Sequence, residues 1–130
     1  ALGAQGVQIG SRFAATHESS SHENFKNEIL KAQEGDTQLT LKELAPVRLL
    51  KNKFYQKVQD AYANGAKKED LAELLGKRRA KKGMFEGDLH EGELEIGQVS
   101  ALINEILSVE EVFNELLSEY TATIEKMNFL

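Results

Sequence analysis

The chain has 130 residues, 21 acidic against 16 basic side chains, a net charge of -5 and no cysteine. A mildly acidic surface argues against wholesale nucleic-acid binding, and the missing cysteines exclude disulfides and thiolate metal sites. No apolar run approaches the roughly 20 residues that span a bilayer and no basic n-region opens a secretory leader, so a cytoplasmic, reducing compartment is the expectation for a chain long enough to bury its own core.

In Gly6-Val7-Gln8-Ile9-Gly10 apolar residues alternate with small or polar ones, the period-2 pattern of a strand. It is the only convincing strand signal. A single strand carries unpaired N–H and C=O groups on both edges and is not stable alone, so its neighbours are expected in sequence beyond this chain or in another chain. The absent initiator Met at Ala1, taken with these first residues, favours a fragment over simple Met removal. A Gly-Ser-Arg turn follows at Gly10 to Arg12.

Ser20-Ser21-His22-Glu23 has capping-box spacing, with the Ser20 hydroxyl bonding the third helical amide and Glu23 reaching back. Phe25, Ile29 and Leu30 predict an amphipathic helix to about Ala32, ended by Gly35-Asp36. Thr40-Leu41-Lys42-Glu43 repeats the capping pattern and predicts a short helix stopped by Pro46, which biases Ala45 toward extended geometry. Leu50, Phe54, Val58 and Tyr62 recur every four residues, with Gly65 as a natural C-cap. A short helix near Glu69 to Leu75 ends at Gly76.

Lys77 to Lys82 read KRRAKK. The preferred reading is a solvated helix end, where cations favour the dipole. The alternatives are a dock for an acidic partner or, more remotely, nucleic acid, which the lack of interleaved aromatics disfavours. Gly83 to Gly97 form a structured loop with turn glycines at 83, 87, 92 and 97. Its carboxylates Glu86, Asp88, Glu91, Glu93 and Glu95 lack the order of a calcium loop, and a solvated loop is the preferred reading. Val99, Leu102, Ile103, Ile106 and Leu107 predict another amphipathic helix. Ser108 to Glu111 cap a last one, striped by Val112, Phe113, Leu116, Leu117, Tyr120 and Ile124. That stripe is expected to cover the chain's own core, with a dimerisation face as the alternative. His17, His22 and His90 read as a loop residue, a helix-start residue and a solvated loop residue.

Gly3 to Phe13, followed by Ala15-Thr16-His17-Glu18-Ser19, resembles the last barrel strand of the nitronate monooxygenase family, which includes FMN-dependent enoyl-acyl-carrier-protein reductases. Asp36-Thr37, Pro46-Val47-Arg48 with Asn52, Gly87-Asp88 and Gly97-Gln98 extend the resemblance over nearly the whole chain. It implies an α/β fold: the C-terminal part of an FMN-binding TIM (β/α)8 barrel, a single domain. Within it, residues 1–35 would be the last strand and following helix, 36–97 a helical and loop insertion, and 98–130 the C-terminal helices. TIM barrels often bind phosphate after strands seven and eight.

The resemblance carries an FMN-phosphate role onto Gln8, Ile9, Gly10 and Ser11. Glycine lets backbone N–H groups approach a phosphate closely, and the Ser11 hydroxyl adds a donor where many relatives have threonine. Arg12 divides evenly between added charge for that anion and a structural ion pair. The glycine pair and histidine base of the family would lie before Ala1, so no catalytic residue and no metal ligand is assigned in this chain. The fragment alone is expected to do no chemistry.

The reaction the resemblance implies first is oxidation of alkyl nitronates with O2. The alternative is NAD(P)H- and FMN-dependent reduction of an enoyl thioester on acyl carrier protein. The implied partners are a small-molecule substrate, the remainder of the barrel, acyl carrier protein in the second case, and a second copy if the enzyme is a homodimer. A non-catalytic helical interaction module is a further alternative, which the lone strand disfavours.

Overall fold

A computed structural model describes residues 3–127. Its elements are α1 (Ser11–Ala14), α2 (Glu23–Lys31), β1 (Thr37–Thr40), β2 (Val47–Leu50), α3 (Lys53–Ala63), α4 (Lys68–Leu75) and α5 (Val109–Met127). A π-helical turn at Lys81–Phe85 and a 3₁₀ turn at Gln98–Leu102 lie between α4 and α5. Among the described residues no helix is long and apolar enough to cross a membrane.

The segment expected as a strand, Gly6 to Gly10, is exposed and outside regular structure. No described segment pairs with it, and a strand is not held where both edges stay open. The helix expected from Thr40 is corrected. Thr37–Thr40 instead pairs antiparallel with Val47–Leu50, Thr37 opposite Leu50 and Thr40 opposite Val47. Pro46 leaves too few residues for a helix with a buried face, whereas cross-strand pairing satisfies both backbones. Leu41 turns the chain at φ +53 with its side chain fully buried, and the Leu44 N–H donates to Leu41 O at 3.0 Å.

The returning segment Leu94–Ile96 adds to the free edge of β2. Leu50 N donates to Leu94 O at 2.9 Å and Ile96 N to Arg48 O at 3.1 Å. This contact joins two cores. One gathers Ala15, Phe25, Ile29, Leu50, Leu94, Ile96 and Ile103. The other gathers Leu41, Leu49, Phe54, Val58 and Leu71 beneath the hairpin, α3 and α4. Successive strand residues point to opposite faces, which is why the neighbours Leu49 and Leu50 serve different cores.

Helix ends account for much of the rest. α2 is capped by His22, whose Nδ1 accepts from Asn24 N at 3.1 Å, rather than by Ser20. The ring sits where a side chain at Gly87 would go: a Cβ there would lie 2.6 Å from His22 Cε1. The cap therefore requires glycine at 87, which also takes φ +77. α3 begins at Asn52, whose Oδ1 accepts from Tyr55 N at 2.9 Å. Gly65 follows α3 with φ +74, as its C-cap role required. At α5 the capping box is present as expected: Glu111 Oε2 accepts from Ser108 N at 2.7 Å, and Ser108 Oγ accepts from Glu111 N.

The amphipathic helix expected over 99–107 reduces to the 3₁₀ turn, with Val99 and Leu102 exposed. Thr16 forms a parallel bridge with Leu107, and His17 N donates to Leu107 O at 3.0 Å, so the end of that segment is held extended. The α5 stripe does not cover the chain's core. Val112 is buried, but Phe113, Leu117 and Tyr120 are 52%, 61% and 66% exposed. The contacts described for α5 lie at its beginning: Phe113 against Phe13 with ring centroids 5.4 Å apart, and Val109 N donating to Glu18.

Candidate functional site

Three chain segments meet at one open groove of about 490 Å³. Gly10 and Ser11 enter from the start of α1, Arg48 from β2, and Glu95, Ile96 and Gly97 from the returning segment. The distance in sequence between Ser11 and Gly97 is bridged directly, because the Gly97 N–H donates to Ser11 Oγ at 3.0 Å. A Cβ on Gly97 would stand 2.7 Å from that oxygen, whereas a Cβ on Gly10 would meet nothing within 4 Å. The first glycine permits close packing; the second leaves its backbone open to a ligand.

Of the residues singled out for phosphate, Gly10 and Ser11 line this groove, while Gln8 and Ile9 lie in the exposed segment before it. Arg12 is committed elsewhere. Its Nη1 donates to Glu105 O at 3.0 Å and Ala15 O at 3.4 Å, and its Nη2 lies 3.7 Å from Glu115. The structural side of the even division holds. Arg48 is a cation of the groove that the sequence did not nominate as a ligand. Its Nη1 donates to Thr37 O and Oγ1, each at 3.2 Å, which fixes the side chain across the hairpin.

The three histidines stand in ordinary positions. His17 and His90 are exposed, and His22 is the α2 cap. His90 O accepts from Phe54 N at 2.9 Å. A buried cation went unnoticed in the sequence: Lys26 is 2% exposed, donates to His17 O at 3.4 Å and pairs with Glu23 at 3.2 Å.

The loop that delivers Gly97 is held by polar contacts rather than solvated. Asn52 Nδ2 donates to Leu89 O and Gly92 O, each at 2.9 Å. Asp88 accepts from Glu91 N at 2.8 Å and His90 N at 3.0 Å, and pairs with Lys82 at 3.1 Å. Those amides, with Lys82, hold its carboxyl down at about 2. Lys57 meets Glu91 at 2.7 Å and holds that carboxyl below its usual range.

KRRAKK is also largely absorbed. Arg79 donates to Leu74 O, Leu75 O and Glu91 O at 2.9, 2.7 and 2.8 Å, and its guanidinium lies 4.4 Å over the Phe54 ring. It caps the end of α4 as a cation should, but from a half-buried position. Lys81 and Lys82 pair with Glu86 and Asp88.

Glu93 is buried. Burial first, then the nearby Glu95 charge, pushes its carboxyl up to about 7 from the ordinary 4.5, against the opposing pull of Arg79. Burial likewise raises Glu95 at the groove. A folded-state carboxyl raised this way favours the fold below its unfolded pKa and loses that contribution as pH rises through the folded value. Stability should therefore fall between about pH 4.5 and pH 7, on the order of 2 kcal/mol from Glu93. Glu93→Gln should flatten the curve of urea midpoint against pH; an unchanged slope would remove Glu93 as its source.

An exposed glycine turn, a hydroxyl and an arginine line one open groove. The family described as nitronate monooxygenase matches residues 1–119. The chain belongs to the nitronate monooxygenase family. It is 34% identical over 119 residues to a probable nitronate monooxygenase of Bacillus subtilis (strain 168), covering 91% of this chain and 34% of that protein. FabK from Thermotoga maritima superposes with a TM-score of 0.87 at 35% identity, over 98% of this chain and 40% of that one. Its M276A mutant gives 0.79 at 34% identity, over 98% and 38%. The chain thus spans well under half the length of these relatives.

Proposed function

We propose that this chain is the C-terminal part of an FMN-dependent oxidoreductase built on a TIM barrel, and that Gln8, Ile9, Gly10 and Ser11 hold the phosphate of the flavin. The observation that carries the reading is the groove itself. Gly10 and Ser11 line it, a Cβ on Gly10 would meet nothing within 4 Å, and a phosphate needs close, unhindered amide donors. Arg48 supplies positive charge at the rim. Glu95 opposes an anion when ionised, and burial raises its carboxyl above the ordinary value. The open Gly10 turn, the Ser11 hydroxyl and Arg48 are the features that fit an anionic group.

Bound there, FMN supplies the redox chemistry, and the chain's own contribution is to anchor and orient it. The first-choice reaction is oxidation of alkyl nitronates with O2, in line with the Bacillus relative. The second is reduction of an enoyl thioester on acyl carrier protein with NAD(P)H, in line with the superposition on FabK. With the full-length protein, oxygen uptake with a nitronate and no nicotinamide supports the first. NAD(P)H consumption dependent on a crotonyl thioester supports the second.

Gly10→Val tests the phosphate assignment. Gly10 has φ -107, which valine adopts, and open space around it, so the fold should keep its melting temperature. FMN affinity in the full-length protein should fall at least about tenfold, because a branched side chain stands where the phosphate must approach. Unchanged flavin occupancy would remove the cradle from this turn.

A further inference from the structure

Ser11 has one hydrogen to donate and two lone pairs to receive. The Gly97 N–H takes one of those lone pairs at 3.0 Å. A hydroxyl already accepting from one side is steered to donate elsewhere, and both residues line the groove. Gly97 is itself held by the pairing of Leu94–Ile96 with β2, so its amide approaches from a fixed direction. The lack of a Cβ is a condition of that approach, since one would crowd the oxygen at 2.7 Å.

We propose that Gly97 is a positioning residue for the flavin phosphate: its amide fills the acceptor side of Ser11 Oγ and turns the hydroxyl hydrogen into the groove. The assignment rests on the phosphate reading above. It adds that the 83–97 loop takes part in cofactor binding without touching the cofactor, and that a bound phosphate stabilises the docking of that loop in return, because linkage is reciprocal.

The experiment compares wild type, Gly97→Ala, Ser11→Ala and the double variant of the full-length protein by titration with FMN and with riboflavin, which lacks the phosphate. Gly97→Ala and Ser11→Ala should each weaken FMN about tenfold and leave riboflavin within about twofold. The double variant should be no worse than either single one, since both act through one hydroxyl. Ser11→Thr should keep FMN affinity.

Amide exchange in the flavin-free protein gives a readout independent of the cofactor: Ser11→Ala should speed exchange at Gly97. In a second measurement, added FMN should slow that exchange in wild type and not in Ser11→Ala. Equal losses of FMN and riboflavin, or additive losses in the double variant, would overturn the proposal. So would normal FMN affinity of Gly97→Ala while Gly10→Val loses the flavin. If Gly10→Val also keeps its flavin, the phosphate reading has failed as well.

Discussion

Gly83→Ala should destabilise the fold by at least about 3 kcal/mol, the cost expected when a side chain is forced against backbone that has nowhere to move. Gly83 is buried in the π-helical turn, directly beneath the returning chain. A Cβ at 83 would come within 2.9 Å of the carbonyl carbon of Glu93 and closer still to its oxygen. Glu93 cannot retreat, because Glu93 N donates to Arg79 O at 3.1 Å, and Leu94 next to it accepts from Leu50 N. Gly92 faces Gly83 without a side chain of its own, so the two glycines create a single close crossing. Gly6→Ala is the control: its Cβ would meet nothing within 4 Å, and its urea midpoint should match wild type. A Gly83→Ala midpoint equal to that of Gly6→Ala would show that the crossing is looser than described.

The second large effect is expected at Arg79. Its guanidinium satisfies the last carbonyls of α4, reaches Glu91 O and covers the Phe54 ring. Arg79→Ala removes donors from three carbonyls at once and opens the side of the second core, a loss of about 3 kcal/mol. The nearby carboxylate of Glu91, at 3.7 Å, is a minor part of this, since it retains Lys57. Arg79→Lys should recover less than half of the loss, because an ammonium cannot reproduce a planar fork over an aromatic ring. Full recovery by lysine, read from urea midpoints, would reduce Arg79 to a simple charge. Both variants act on the loop that carries Gly97 to Ser11, so both should also weaken FMN in the full-length protein.

The helices with strong local signals were legible. Phe54 and Val58 mark the buried face of α3, Gly65 and Gly76 end their helices, and Ser108 with Glu111 opens α5. The resemblance was legible too, but its motif residues turn out to divide between two tasks. Asn52 and Asp88 build the loop, and Thr37 holds Arg48. Gly10, Ser11, Arg48 and Gly97 reach the groove. Nothing in the spacing of a single sequence separates these tasks, because a backbone carbonyl partner leaves no mark on the residue that supplies it.

Where reading failed, long-range pairing overrode local pattern. Thr40 to Glu43 carry a helix-capping sequence, yet Thr37–Thr40 found a partner strand in Val47–Leu50. The apolar face of α5 matches a core helix in period, but burial depends on what is placed opposite, and the chain places little there beyond Phe13.

By itself, then, the sequence determined α2, α3, α4 and α5, the capping box of α5, the turn glycines at 65 and 76 and family membership, all of which reside in neighbouring residues or in motif order. Only the tertiary structure decided the hairpin, the absorption of KRRAKK and the meeting of Ser11 with Gly97. Each of these depends on hydrogen bonds and packing between residues far apart in the chain, whose free energy exists only once the loop between them has closed.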